Sequence, residues 1–120
     1  MAETGCILVV EDDPVVAMLS LDWLHQLGFA AIGPAASVNG ALRLMETTPT
    51  LNAAMLDCNL GREMVWPVAD RVMERRLPFV FVTGYGQDHI PPRFAYVPVL
   101  TKPYSFVQFR AAVLPMLLGD

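Results

Sequence analysis

The sequence predicts an α/β domain in which a doubly wound, five-stranded parallel sheet carries helices on both faces. Short apolar runs alternate along the chain with segments of helical periodicity, and this alternation is typical of parallel sheets with right-handed crossovers. Several apolar runs also stop at a polar residue, as at Glu11 after residues 6–10 and at Asp57 after residues 53–56. Because binding groups in such sheets lie beyond the carboxyl ends of the strands, these polar residues are the first candidates for a site.

The first predicted helix follows the strand at residues 6–10. Pro14 is expected at its first position with Asp13 as the N-cap, and Gly28 supplies its left-handed end. Apolar residues at helical spacing predict its buried face. These residues are Val16, Leu19, Trp23, Leu24 and Leu27.

The later elements keep the same alternation. The remaining predicted strands cover residues 30–33, 53–57, 79–83 and 97–100, and the remaining predicted helices open at Ser37, Trp66 and Ser105. Ser105 and Gln108 have the spacing of a capping box. Pro91 and Pro92 forbid more than one helical turn between the last two strands, so the fourth helix should be short or irregular.

Composition limits the classes of function. The chain of 120 residues is long enough for one domain with one core. Its net charge of -4, without a cluster of basic residues, argues against direct binding of nucleic acid. No apolar run approaches the ~20 residues of a membrane span and no leader opens the chain, so we expect a soluble, cytoplasmic protein. Cys6 and Cys58 fall at opposite ends of neighbouring strands and are not expected to form a disulfide.

Five spaced positions resemble the receiver domain of two-component response regulators, over nearly the whole chain. They are Glu11, Asp12, Asp57, Thr83 and Lys102, the last followed by Pro103, and they lie at or just beyond the ends of predicted strands. The run Phe81-Val82-Thr83-Gly84-Tyr85 further resembles the FAT GUY subgroup of alphaproteobacterial receivers. The resemblance implies a flavodoxin-like sheet with strand order 2-1-3-4-5.

The resemblance also implies roles for the charged residues. Asp57 becomes the phosphoacceptor, and a carboxylate can attack phosphorus if the converging negative charges are offset. Mg²⁺ would be bound by Asp12 directly, by Glu11 through a water molecule, by Asp57 and by the backbone carbonyl of Asn59, which offer the oxygen ligands that this cation prefers. Lys102 supplies a second positive charge.

Four positions would assist or modulate the reaction. Thr83 would donate its hydroxyl to a phosphoryl oxygen, and Pro103 is expected after a cis peptide bond. Asn59 and Tyr85 are expected to flank the path of attacking water, so bulk at Tyr85 should slow loss of the phosphoryl group. Asp13 is interpreted as a helix cap only.

Two positions depart from the family pattern. Glu11 stands where an aspartate is commoner, which lengthens the reach to a metal. Val99 stands three residues before the lysine, where receivers usually carry a tyrosine or phenylalanine that reports phosphorylation. Tyr96 and Tyr104 are near enough in sequence to substitute, and the sequence does not choose between them.

We therefore expect a stand-alone receiver rather than an enzyme, phosphorylated by a histidine kinase or histidine phosphotransfer protein. Its output would pass through contact with an unknown protein, and a second copy of the chain is a candidate partner. One alternative is an aspartyl-nucleophile phosphohydrolase of haloacid dehalogenase type, although Glu11 would occupy the nucleophile's place. Another is a flavin mononucleotide binder, which would need a phosphate loop where this chain has three acidic residues, Glu11, Asp12 and Asp13.

Overall fold

The computed structural model describes residues 5–86 and 89–117. Seven strands and four α-helices make up this part of the chain. The strands are β1 (Cys6–Val10), β2 (Ala30–Ala35), β3 (Ala53–Asp57), β4 (Asn59–Leu60), β5 (Glu63–Met64), β6 (Phe79–Thr83) and β7 (Val99–Thr101), and the helices are α1 (Pro14–Gln26), α2 (Val38–Thr47), α3 (Trp66–Glu74) and α4 (Phe106–Leu117). Within the described ranges, no helix is long and apolar enough to cross a membrane.

Five of the strands form one parallel sheet in the order β2-β1-β3-β6-β7. This order is the predicted 2-1-3-4-5, because β4 and β5 belong to a separate antiparallel hairpin. The hairpin lies between β3 and α3, where the sequence predicted no strand. β3 is central and all five of its residues are buried, so its carboxyl end delivers Asp57 to the middle of the sheet edge.

Two apolar cores cover the two faces of the sheet. On β1, Leu8 and Val10 face the core that includes residues of α2 and α3, whereas Ile7 and Val9 face the core that includes residues of α1 and α4. Side chains of a strand alternate between faces, so an unbroken apolar run supplies both cores at once. The predicted doubly wound architecture is confirmed.

The predicted helix starts are also confirmed. The Asp13 carboxylate accepts hydrogen bonds from the backbone N–H groups of Val15 and Val16 at 2.9 and 3.3 Å. Ser105 and Gln108 form the reciprocal capping box, in which each backbone N–H donates to the other side chain at 2.8 and 3.1 Å. These local contacts satisfy donors that a helix start leaves free, which is why the sequence could predict them.

Three details differ from the sequence prediction. β2 continues through Pro34, which an edge strand tolerates because one side of its backbone makes no ladder bonds. The last strand begins at Val99 rather than at residue 97. The buried residues of α1 are Ala17, Ser20 and Leu24, whereas Leu19 is exposed. Small residues at 17 and 20 therefore form part of the surface that packs on the sheet.

The predicted irregular segment between β6 and β7 contains a single 3₁₀ turn at Pro92–Phe94. The Arg93 guanidinium donates to both carboxylate oxygens of Asp70 on α3, at 3.0 Å each. Phe94 is fully buried. A short turn thus covers this part of the sheet where the alternation alone would place a fourth helix. Residues 87 and 88 of the predicted irregular segment lie outside the described residues.

Candidate functional site

The predicted site residues lie at the carboxyl edge of the parallel sheet. Asp57 ends β3 and is paired in register with Val82 of β6, so Thr83 ends the neighbouring strand. Glu11 follows β1 on the other side of β3. Parallel strands bring their carboxyl ends to one edge, and this is why residues distant in sequence meet here.

Lys102 connects the acids. Its Nζ donates to Glu11 Oε2 and to Asp57 Oδ2, at 3.1 Å each. Only 5% of Glu11 and 4% of Asp57 is exposed to solvent, so the ammonium offsets charge that water reaches poorly. The sequence predicted the contact with Asp57, and the structure adds the contact with Glu11. The sequence had indicated all three residues as candidates for the site.

Glu11, Asp12 and Asp57 form an acidic cluster. Each of the three can offer one carboxylate oxygen, and these oxygens lie within 4.8 Å of one another. Three hard oxygen donors so close together repel one another and fit a divalent cation such as Mg²⁺. This donor set is the one that the sequence suggested. The predicted fourth ligand, the Asn59 carbonyl, lies on β4, and the Asn59 N–H donates to Asp57 Oδ1 at 3.2 Å.

Thr83 and Tyr85 occupy the other side of the site. The Tyr85 backbone N–H donates to Thr83 Oγ1 at 3.1 Å. Because the hydroxyl accepts in this contact, its own proton remains able to donate elsewhere. The Tyr85 side chain is 75% exposed and lies on the rim of an open cleft of about 710 Å³, whose lining includes Asp12, Asp57 and Lys102.

The peptide bond between Lys102 and Pro103 is cis, as the sequence predicted. The Lys102 backbone N–H donates to the Thr83 carbonyl at 2.8 Å. The main chain of the lysine is therefore attached to the end of β6, and its side chain spans from there to the acids.

Comparison with known proteins gives two kinds of result. No family model and no curated protein matches the chain. Among solved structures, the chain is 38% identical to SdrG from Sphingomonas melonis Fr1, with a TM-score of 0.84 over 97% of this chain and 98% of that one. It is 39% identical to a BeF3-activated conformation of SdrG from Pseudomonas melonis Fr1, with a TM-score of 0.78 over 94% of this chain and 96% of that one. A response regulator receiver domain from Methylobacillus flagellatus, 22% identical, has a TM-score of 0.80 over 95% of this chain and 99% of that one, which shows the shared fold.

The chain belongs to the receiver domains of response regulators. Its relatives point to a signalling regulator rather than to a classical enzyme. Membership of the FAT GUY subgroup stays a prediction from residues 81–85. The two cysteines of this receiver are free. Burial, with the charge of Asp57, raises the pKa of Cys58 to about 12, so the thiol beside the acceptor stays neutral and is a poor nucleophile.

Glu11 has an unusual titration in this receiver. Burial raises the pKa of the Glu11 carboxyl to about 7, and the neighbouring Asp57 carboxylate adds to the shift. The Asp13 backbone N–H, which donates to Glu11 at 3.1 Å, and the Lys102 ammonium act in the opposite direction. Burial alone would lower the pKa of Lys102, but its contacts with Asp57 and Glu11 outweigh burial and raise it.

We expect the receiver to lose stability as the pH rises, when divalent cations are chelated. An unfolded glutamate loses its proton near 4.5 and the folded Glu11 near 7, so the folded state binds more protons between these values. The free energy of unfolding should then fall by at most about 3 kcal/mol across this interval. Urea unfolding at pH 5 and pH 8 with a chelator would measure the fall.

Glu11→Gln should remove most of that slope, because the amide does not titrate. Glu46→Gln is the matched control, since Glu46 is exposed on α2 away from the site. A Glu11→Gln variant with the pH slope of the wild type would contradict the assignment of this titration to Glu11.

The structure places the two tyrosines that the sequence left open, Tyr96 and Tyr104, at different ends of the sheet. Tyr96 is 68% exposed and lies in a groove with Asn52 and Pro78, which precede β3 and β6 and so mark the opposite edge of the sheet. Tyr104 is half-buried next to the lysine loop and its hydroxyl contacts Ser20. Sequence reasoning did not find Ser20; a hydroxyl among apolar residues of α1 was the available signal.

Proposed function

We propose that this chain is a phosphoacceptor response regulator of a two-component phosphorelay. Asp57 receives the phosphoryl group from a histidine kinase or a histidine phosphotransfer protein, in a reaction that depends on Mg²⁺. The observation that carries the proposal is the position of the Lys102 ammonium, 3.1 Å from the Asp57 carboxylate within an acidic cluster. Such an arrangement brings together a carboxylate nucleophile and the positive charge that its phosphorylated form requires.

The chemistry follows from the residues of the cleft. An Asp57 carboxylate oxygen forms a bond to phosphorus while the bond from phosphorus to the donor's imidazole nitrogen breaks, and the electron pair of that bond returns to the imidazole. The Lys102 ammonium already contacts Asp57 and can follow the negative charge onto the phosphoryl oxygens. The proton of the Thr83 hydroxyl is available to a phosphoryl oxygen, because this hydroxyl accepts from Tyr85.

Mg²⁺ would be held by Glu11, Asp12 and Asp57, with the Asn59 carbonyl as the further ligand that the sequence suggested. When bound, it supplies positive charge against the oxygens of the acids and of the phosphoryl group. The raised pKa of Glu11 makes cation binding favour higher pH, because the carboxyl must lose its proton to become a ligand. Output then passes by protein contact to a partner protein or to a second copy of the chain.

Acetyl phosphate provides a direct test. The wild-type protein, incubated with acetyl phosphate and Mg²⁺, should gain the mass of one phosphoryl group in an intact-mass measurement. Addition of a chelator should prevent the gain. A folded protein that gains no phosphoryl group from acetyl phosphate in the presence of Mg²⁺, and none from phosphorylated phosphotransfer proteins, would contradict the proposal.

The side chain of Tyr85 should protect the phosphorylated state. It lies on the rim of the cleft, where it can obstruct a water molecule on its way to the phosphorus. We expect Tyr85→Ala to shorten the lifetime of phospho-Asp57 severalfold, as followed by loss of mass over time. Tyr96→Ala is the matched control, because this tyrosine is similarly exposed but lies at the opposite edge of the sheet. Equal lifetimes in the wild type and Tyr85→Ala would refute the role of Tyr85.

A further inference from the structure

A part-buried hydrogen bond lies next to the segment that carries Lys102. The Tyr104 hydroxyl is 3.2 Å from Ser20 Oγ on α1, and Ser20 is only 2% exposed. The Tyr104 ring packs between two aromatic rings, edge-on to Trp23 and stacked on Phe109, with centroids 6.1 Å away in both cases. Burial raises the pKa of Tyr104, so the phenol keeps its proton at neutral pH and can share it with Ser20.

The two partners belong to the two segments that build the charged part of the site. Ser20 lies on α1, which begins at Pro14 immediately after the acids that follow β1. Tyr104 lies two residues beyond Lys102. The hydrogen bond therefore links the segment that carries Glu11 to the segment that carries the lysine, and the same two segments meet again where Lys102 Nζ contacts Glu11.

The backbone around Lys102 is held on both sides. On its N-terminal side, the Lys102 backbone N–H donates to the Thr83 carbonyl at 2.8 Å. On its C-terminal side, Pro103 is followed by Tyr104, whose ring packs in the aromatic cluster. The Lys102 side chain can contact both acids at 3.1 Å only if its main chain is held at a fixed distance from each of them.

We propose that Tyr104 and Ser20 are a positioning pair that holds Lys102 within reach of Asp57. This proposal rests on the proposed function, since it concerns the lysine of the same site. Tyr96 cannot have this role because it lies at the opposite edge of the sheet. Val99 occupies the position where receivers usually carry an aromatic residue, and it has no hydroxyl. The hydrogen bond between Tyr104 and Ser20 does not involve that position.

The test compares Tyr104→Phe, Ser20→Ala and the double variant. A hydrogen bond of ordinary strength predicts that each single variant is phosphorylated by acetyl phosphate about three- to tenfold more slowly at saturating Mg²⁺. The double variant should be no slower than either single variant, because both remove the same contact. Affinity for Mg²⁺ should not fall, since the carboxylate ligands are retained.

A second measurement does not depend on phosphorylation. Lys102 is the only lysine in the sequence, so acylation by an amine-reactive ester, located by peptide mass, reports on one ε-amine. In the free wild type the ammonium is held by Glu11 and Asp57. Loss of the positioning pair should loosen this contact and make the amine react severalfold faster in all three variants. Tyr96→Phe, which removes a remote hydroxyl, should match the wild type in both measurements.

A further variant separates positioning from loss of stability. Ser37→Ala removes the N-cap of α2, which packs on the opposite face of the sheet from Tyr104. If it slows phosphorylation and speeds acylation as much as Tyr104→Phe does, general destabilisation explains both and the proposal is overturned. Unchanged rates and unchanged lysine reactivity in Tyr104→Phe also overturn it. Absence of phosphorylation in the wild type would contradict the proposed function instead, and the lysine reaction would still decide whether the pair positions Lys102.

Discussion

Replacement of Asp57 by asparagine should leave a folded protein that takes up no phosphoryl group. The amide that replaces the carboxylate is nearly equal in size but has no anionic oxygen to attack phosphorus. The stability of the fold should be retained, because the substitution removes the repulsion between the carboxylates of residues 57 and 11. Lys102 keeps Glu11 as its partner. Intact mass after incubation with acetyl phosphate and Mg²⁺ measures the uptake, and urea unfolding measures the stability.

Asp13→Asn is the matched control for this experiment. Asp13 also borders the cleft, so the same change of charge is made nearby. Its carboxylate caps α1, and asparagine is as good an N-cap as aspartate. We therefore expect Asp13→Asn to be phosphorylated at close to the wild-type rate. Uptake by Asp57→Asn at the wild-type rate would show that another residue is the acceptor.

Replacement of Lys102 by methionine should affect both chemistry and stability. Methionine keeps much of the apolar stem but leaves Glu11 and Asp57 without a cation. Removal of one partner from a buried ion pair costs about 3–5 kcal/mol. Because 25% of the Lys102 side chain is exposed, solvent screens part of this interaction. We expect the free energy of unfolding to fall by about 2 kcal/mol at pH 8. Phosphorylation should slow on the order of a hundredfold, as for other groups that stabilise developing charge.

The pH dependence gives this prediction a second signature. At pH 5 Glu11 is protonated, since burial raises its pKa to about 7, so only Asp57 loses a charged partner. The destabilisation by Lys102→Met should therefore be smaller at pH 5 than at pH 8. Lys102→Arg is the charge-conserving control and should recover most of the stability. A loss of stability that is equal at both pH values would contradict the pairing of Lys102 with Glu11.

Most of the fold was predictable because its signals are local. The boundaries of β1, β3 and β6 coincide with apolar runs, and the caps at Asp13, Ser37 and Ser105 act within three residues. The prediction failed where a neighbour in space decides the outcome. The edge position of β2 permits a strand through Pro34, and the packing of α1 leaves Leu19 exposed while it buries Ser20.

The candidate site divides in the same way. That Asp57 and Thr83 meet could be predicted, because adjacent parallel strands end at one edge. The hairpin of β4 and β5, which follows Asp57 closely, has a glycine at its turn, but its strands of two residues each are too short to be predicted from a pattern. Its Glu63 carboxylate accepts from the Val38 N–H at the start of α2, a contact between residues 25 positions apart that no local pattern encodes.

Sequence alone determined the alternation of strands and helices, and with it the gathering of Glu11, Asp57, Thr83 and Lys102 at one sheet edge. The tertiary structure alone decided that Lys102 is shared between two acids and that Tyr104, rather than Tyr96, stands behind it. The physical reason is distance along the chain. Ser20 and Tyr104 are 84 positions apart, and their contact depends on how α1 is rotated against the sheet, which is set by the packing of the whole core.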